Sequence, residues 1–233
     1  MHGRPVPGYG PRVQAEADAD ETQAPGEVRG AAASTLGPVR AAADRARRHL
    51  DDSLATTRAA ADTCLPDLLA AADVVAAAFR AGGALLLCGN GGSAADCQHV
   101  AAELVARLSA DYERPGLPAV ALTTDSSFLT AYANDYDFEG VFARQVSALG
   151  RPGDVLLGIS TSGNSRNVVA AVECAKTKGL VTIVLTGSGG RLAEMADVAV
   201  CVPSSVTAHV QETHLVLEHV LCDLVEREVF GYR

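Results

Sequence analysis

Residues 85–103 read LLLCGNGGSAADCQHVAAE, and the order of their parts decides the fold. The run Ala84 to Cys88 is short and wholly apolar, as suits a strand buried on both faces of a parallel sheet. Gly89, Asn90, Gly91 and Gly92 supply the dihedrals of a tight strand-to-helix turn. Ser93 reads as the N-cap of the helix that follows, about Ala94 to Leu108. In open parallel sheets ligands gather at the carboxyl ends of strands, where free backbone N–H groups and the helix dipole favour anions. This turn is therefore a candidate phosphate or sugar site. No Lys follows the glycines and their spacing is not G-x-G-x-x-G, so it is neither a Walker loop nor a dinucleotide fingerprint.

His99 and Glu103 sharpen the reading. A spacing of four residues puts both side chains on one helix face about one turn apart, as in helical metal sites and acid/base pairs. A surface ion pair has the same spacing and is the competing reading.

Working outward, 233 residues at 48% hydrophobic content can bury a sizeable core, and the simplest division is one domain, 36–233, behind a disordered extension, 1–35. The extension is rich in Pro, Gly, Ala, Glu and Asp without apolar periodicity, so burial does not offset its ordering entropy. A formal charge of −9 argues against nucleic-acid binding by charge alone. Six cysteines without a CxxC pair read as free thiols of a cytosolic protein. No membrane span or signal-peptide core is visible, so a soluble, cytoplasmic protein is expected.

Helical patterns around Ala41 to Ala61 and Leu65 to Arg80 precede the central strand, closed by Gly82 and Gly83. After the central helix come apolar runs at Ala119 to Leu122, Val155 to Ile159, Leu180 to Leu185 and Val198 to Val202, each read as a strand. Between the first two, Asn134 and Asp135 lie in TAYANDYD, read as a polar loop with ordinary turn chemistry. A long helix, about His209 to Phe230, ends the chain and holds Gln211, Glu212, His214 and His219. Alternating strands and helices predict an α/β three-layer sandwich with a mostly parallel five-stranded sheet. The Val155 run ends in Ser160-Thr161-Ser162-Gly163-Asn164-Ser165. Four hydroxyls and a glycine at a strand's carboxyl end form a neutral phosphate cradle.

With GNGGSAAD, the His99/Glu103 pair, STSGNS and QETHLVLEH in order, the chain resembles the SIS (sugar isomerase) domain family, and within it the phosphoheptose isomerases, over about Leu54 to Gly231. The resemblance implies that Asn90, Gly91, Gly92, Asn134 and Asp135 contact a sugar phosphate, with Ser160, Thr161, Ser162 and Ser165 on its phosphate. It further implies that His99, Glu103, Gln211 and His219 hold a zinc ion, that Glu103 and Gln211 touch substrate, and that Glu103 and His219 form the acid/base pair. The implied reaction converts sedoheptulose 7-phosphate to an aldose heptose 7-phosphate. The chain departs from the family pattern in its N-terminal extension and around Asp125 to Leu129.

Such an aldose–ketose isomerisation takes a proton from C1, passes through an enediol and returns a proton at C2. A carboxylate and an imidazole suffice, and no nucleotide or redox cofactor is required. Two other readings of an SIS domain are a non-catalytic tetrameric scaffold for a replication-initiation protein, in which His219 has no purpose, and a sugar-phosphate-sensing regulator. Gln211 and His219 are eight residues apart, about 12 Å along a helix and roughly 80° around it. One straight helix does not readily bring both to one metal. This predicts active sites shared between neighbouring copies, in keeping with the homotetramer the resemblance implies.

Overall fold

The computed structural model describes residues 31–110 and 113–231, with side chains from residue 39 onward. The chain divides into two compact units, Met1–Asp44 and Arg45–Arg233. Of the first, residues 31–44 are described and are helical. Most of the expected extension, residues 1–30, lies outside the described residues. The second unit carries the sheet and every candidate residue.

Helices α1 (Ala31–Thr63) and α2 (Leu65–Arg80) lead into β1 (Leu85–Gly89). Then follow α3 (Gly92–Val105), β2 (Ala119–Ala121), α4 (Ser126–Asp135), α5 (Val141–Leu149), β3 (Val155–Ser160), α6 (Arg166–Lys178), β4 (Val181–Thr186), α7 (Arg191–Met195), β5 (Val198–Cys201) and α8 (Thr207–Phe230). All five expected strands are present, paired in parallel in the order β2-β1-β3-β4-β5.

The pleat sorts the apolar runs into two cores, because successive side chains of a strand face opposite ways. Leu85, Leu87, Val155, Leu157 and Ile159 pack with Val75 of α2, Val100 and Leu104 of α3, and Leu221 and Val225 of α8. Leu86, Cys88, Leu156 and Val184 pack with Val146 of α5, Val168 and Val172 of α6, and Leu192 of α7. Every residue of β1 and β3 is buried, which explains why those runs are continuously apolar rather than alternating. Each fully buried Leu among them contributes about 1.5–3 kcal/mol.

Two local readings are corrected. Ser93 is not an N-cap: α3 already starts at Gly92, its cap position is Gly91 at φ 57°, and Ser93 is buried inside the first turn. Asn134 and Asp135 are not in a loop but in the last turn of α4. There Phe128, Tyr132 and Tyr136 stack at successive four-residue spacings, with ring centroids 5.5 and 4.8 Å apart. That aromatic ladder holds the helix through the polar pair.

Candidate functional site

The strand order places β2 on one side of β1 and β3 on the other. Helices α3 and α6 leave the adjacent ends of β1 and β3 toward opposite faces, since α3 packs in one core and α6 in the other. Such a reversal opens a crevice at the carboxyl ends of the strands, where ligands of open α/β sheets bind. The glycine turn and the Ser/Thr loop are the two segments that flank it.

Two amides join the lips of the crevice. Asn90 Nδ2 donates to Asn167 Oδ1 and Asn167 Nδ2 donates to Asn90 Oδ1, each at 2.8 Å. Asn167 is buried in the first turn of α6; sequence reading missed it, since its partner lies 77 residues away. In the loop, the Oγ atoms of Ser160 and Ser165 are 2.9 Å apart, and Asn164 N donates to Ser162 Oγ at 3.2 Å. Gly163, at φ 65°, turns the loop where a Cβ would collide with the carbonyl oxygen of Gly189. A cleft of about 480 Å³ opens here, lined by Asn90, Ser165, Asn167, Asp137, Glu139 and Arg166, among others. Arg166 brings a guanidinium to that lining, paired with Glu139 at 3.2 Å. A second, polar cleft includes Thr161 and Ser162 in its lining. The loop therefore offers hydroxyls, backbone amides and a nearby cation, a combination suited to a phosphate. Asn134 and Asp135 are exposed, and their side chains bond one another at 2.9 Å.

The other expected residues lie along the seam between α3 and α8. At its start the Gln211 carboxamide lies so close to Gly92 that any side chain at 92 would have to displace it. Farther along, His99 Nε2 and His219 Nε2 are 2.8 Å apart, and Glu103 Oε1 lies 3.7 Å from His99 Nε2. Glu103 and both imidazoles are half-buried. One chain thus brings His99, Glu103 and His219 together along the seam. Among the described residues no hydrogen bond joins Gln211 to either imidazole; the structure puts its amide at the glycine turn.

Zinc bonds of about 2.0–2.1 Å in a tetrahedron put neighbouring ligand atoms about 3.4 Å apart. The two distances around His99, 2.8 and 3.7 Å, straddle that value, but among the described residues only His49, His209 and Glu212 bring three ligand atoms within 4.8 Å of one another. Along the seam stand carboxyls without partners. Asp96 Oδ2 and both oxygens of Glu218 are buried and make no hydrogen bond. Burial, reinforced by the charge of Asp96, pushes the Glu218 carboxyl up to about 8. Burial also raises Asp96, against the pull of His99.

The end of the seam is fixed by an ion pair that sequence reading also missed. Arg114 and Glu226 have fully buried side chains and are joined through both Nε and Nη2 of the guanidinium, Nε at 2.9 Å. Arg114 further donates to the carbonyls of Glu103 and Leu104, each at 2.8 Å. It therefore caps the helix that carries His99 and Glu103.

Elsewhere, His49, His209 and Glu212 form a His/His/Glu group able to hold a metal ion, with one ligand atom from each lying within 4.8 Å of the others. His209 and Glu212 are legible on α8 as an i,i+3 pair, but their partner on α1 is not. Among the described residues no helix is long and apolar enough to cross a membrane.

Comparison with known proteins agrees with this geometry. The sequence pattern of the SIS domain matches residues 48–187. The phosphoheptose isomerase of Roseiflexus sp. (strain RS-1) is 54% identical over 182 residues, 78% of this chain and 91% of its own. That of Halorhodospira halophila is 50% identical over 192 residues, 81% of this chain and 96% of its own. Among solved structures, the phosphoheptose isomerase of Neisseria gonorrhoeae superposes with a TM-score of 0.74 at 45% identity, covering 78% of this chain and 97% of that one. The Francisella tularensis enzyme superposes with a TM-score of 0.77 at 38% identity, covering 80% and 98%.

Proposed function

The chain belongs to the phosphoheptose isomerases of the SIS domain family, and from that premise we propose that it interconverts sedoheptulose 7-phosphate and D-glycero-D-manno-heptose 7-phosphate, with Glu103 and His219 as the acid/base pair. The observation that carries the reading is the convergence of His99, Glu103 and His219 on one chain, with Nε2 of His99 2.8 Å from His219 and 3.7 Å from Glu103.

The substrate's phosphate is held by Ser160, Thr161, Ser162 and Ser165, with the turn Asn90, Gly91 and Gly92 and the pair Asn134 and Asp135 on the sugar. In the ketose-to-aldose direction one member of the acid/base pair takes a proton from C1. The C1–H electron pair becomes the C1–C2 double bond of a cis-enediol, and O2 gains a proton. The other member then protonates C2, while the O1 proton leaves and C1 becomes the carbonyl carbon. A carboxylate and an imidazole can each serve as donor and acceptor, so the same pair runs the reverse reaction. Gln211, at the glycine turn, is placed to orient a substrate hydroxyl. His99, Glu103 and His219 would hold a zinc ion, whose chemistry when bound is to polarise the carbonyl oxygen and stabilise the negative charge of the enediolate; Gln211, the fourth ligand that the resemblance implies, lies at the glycine turn in this chain. A homotetramer in the cytoplasm completes the reading. The alternative of a non-catalytic scaffold gives no purpose to the imidazole pair.

Purified protein incubated with sedoheptulose 7-phosphate should yield the aldose phosphate. Turnover should fall on chelation and return with zinc, and Glu103→Gln or His219→Gln should reduce it by at least about a hundredfold. No turnover by the folded, zinc-supplied protein would sink the assignment.

A further inference from the structure

We propose that His49, His209 and Glu212 form a second divalent-cation site, separate from the His99/Glu103/Gln211/His219 set, which clasps α1 to the first turns of α8. His209 and Glu212 are three residues apart on α8, so they share a face, and His49 meets that face from α1. Its Nε2 lies 2.7 Å from Glu212 Oε1, and its Nδ1 lies 3.4 Å from His209 Nε2. The two rings are 4.7 Å apart at 64°. Two imidazoles and one carboxylate are the donor set of zinc-class ions with an open fourth position for water.

The distribution of exposure suits binding. His209 is 7% exposed and provides a fixed ligand, whereas the side chains of His49 and Glu212 are 45% and 42% exposed. The two outer ligands therefore have room to close the 4.8 Å envelope to the roughly 3.4 Å that a tetrahedral ion sets. With neutral imidazoles the cluster carries one negative charge, in a chain whose formal charge is −9, so a divalent ion is favoured electrostatically. Between residues 45 and 59 most of α1 is exposed, so a metal tie at His49 would fasten it where apolar burial is sparse. Its other anchor, α8, carries Gln211 in the neighbouring position.

The test separates this site from the catalytic one. Tag-free protein carrying His99→Ala and His219→Ala is stripped with chelator and dialysed against zinc or cobalt(II), and bound metal is counted. One equivalent per chain is expected to remain, with cobalt(II) showing visible d–d absorption. Adding His49→Ala, or in a second variant Glu212→Gln, should weaken that binding by more than about tenfold; both positions are exposed, and circular dichroism checks the fold. Zinc should raise the melting temperature of the parent and not of the His49→Ala form. If the parent binds no metal, or His49→Ala and Glu212→Gln bind it unchanged, the triad is a hydrogen-bond chain only and the proposal is overturned.

Discussion

Replacing Arg114 by Met should cost about 4–5 kcal/mol and slow turnover without weakening phosphate binding. The guanidinium serves Glu226 and the carbonyls of Glu103 and Leu104, together with that of Pro115 at 3.0 Å, and lies over the Phe230 ring with Cζ 5.8 Å from its centroid. Breaking a buried ion pair by removing one partner costs about 3–5 kcal/mol because the other charge is left in a low dielectric. Glu226 keeps the Leu108 amide at 3.1 Å and has further interactions, which offset part of this. The carbonyls add about 1 kcal/mol each where water does not replace the lost donor. Removing both charges, with Arg114→Met and Glu226→Met together, eliminates the carboxylate that has lost its guanidinium but not the uncapped carbonyls. The double variant should therefore lose only about 2–3 kcal/mol and be more stable than the single one. Urea denaturation gives both values, and the coupling follows from the double-mutant cycle. Because Arg114 holds the backbone of Glu103 itself, kcat should fall in the folded variant while KM, which the proposed reading assigns to the Ser/Thr loop, should change little. A loss below about 1 kcal/mol for Arg114→Met, or a double variant no more stable than the single, would refute the reasoning.

Substituting Ser162 and Ser165 by Ala should raise KM for the phosphorylated sugar strongly and leave the melting temperature unchanged; an unchanged KM removes the loop from the site. Asn167→Ala should also raise KM, because it strips Asn90 of both its 2.8 Å partners, and a crystal structure of the variant with Asn90 unmoved would contradict that. Glu218, pushed up from 4.5 to about 8, binds a proton in the folded state that the unfolded chain has released. Its contribution to stability is thus complete below about pH 4.5 and is lost as pH rises toward 8, by up to roughly 1.4 kcal/mol per unit. Glu218→Met should flatten that decline, and identical pH–stability curves would count against it. Mixing Glu103→Gln and His219→Gln subunits under proven exchange should restore no activity, since one chain holds both side chains around His99; recovery would show that they act across an interface.

The fold was legible because a doubly covered parallel sheet demands apolar runs that few other structures tolerate. Strand positions followed to within a residue at each end. Local competition explains the two errors. The Asn and Asp of TAYANDYD favour turns, but three stacked rings at positions 128, 132 and 136 outweigh them. Ser93 is a good cap in isolation, yet Gly91 takes the cap position with a positive φ, which lets α3 begin one residue ahead of the serine. The residues that no local pattern could supply are those whose partners are remote. Asn167 answers Asn90 across 77 residues, Arg114 answers Glu226 across 112, and His49 answers Glu212 across 163.

The seam between α3 and α8 gives the spacing of Gln211 and His219 its structural setting. Gln211 and His219 are indeed about 12 Å apart along one helix, and no rigid helix focuses both on a point. What the spacing did not reveal is that α3 runs alongside α8 in the same direction at nearly the same interval. Gly92 faces Gln211 and His99 faces His219. Seven residues on α3 match eight on α8, about 10.5 against 12 Å, so the two helices stay in step over two turns. Leu108 and Arg114 then meet Glu226 at the far end. Along one chain the separation puts Gln211 at the glycine turn and His219 beside His99 and Glu103. A shift of α8 by one turn, about 5.4 Å, would break all three contacts together, and for that reason removing the buried Arg114–Glu226 pair is expected to slow turnover.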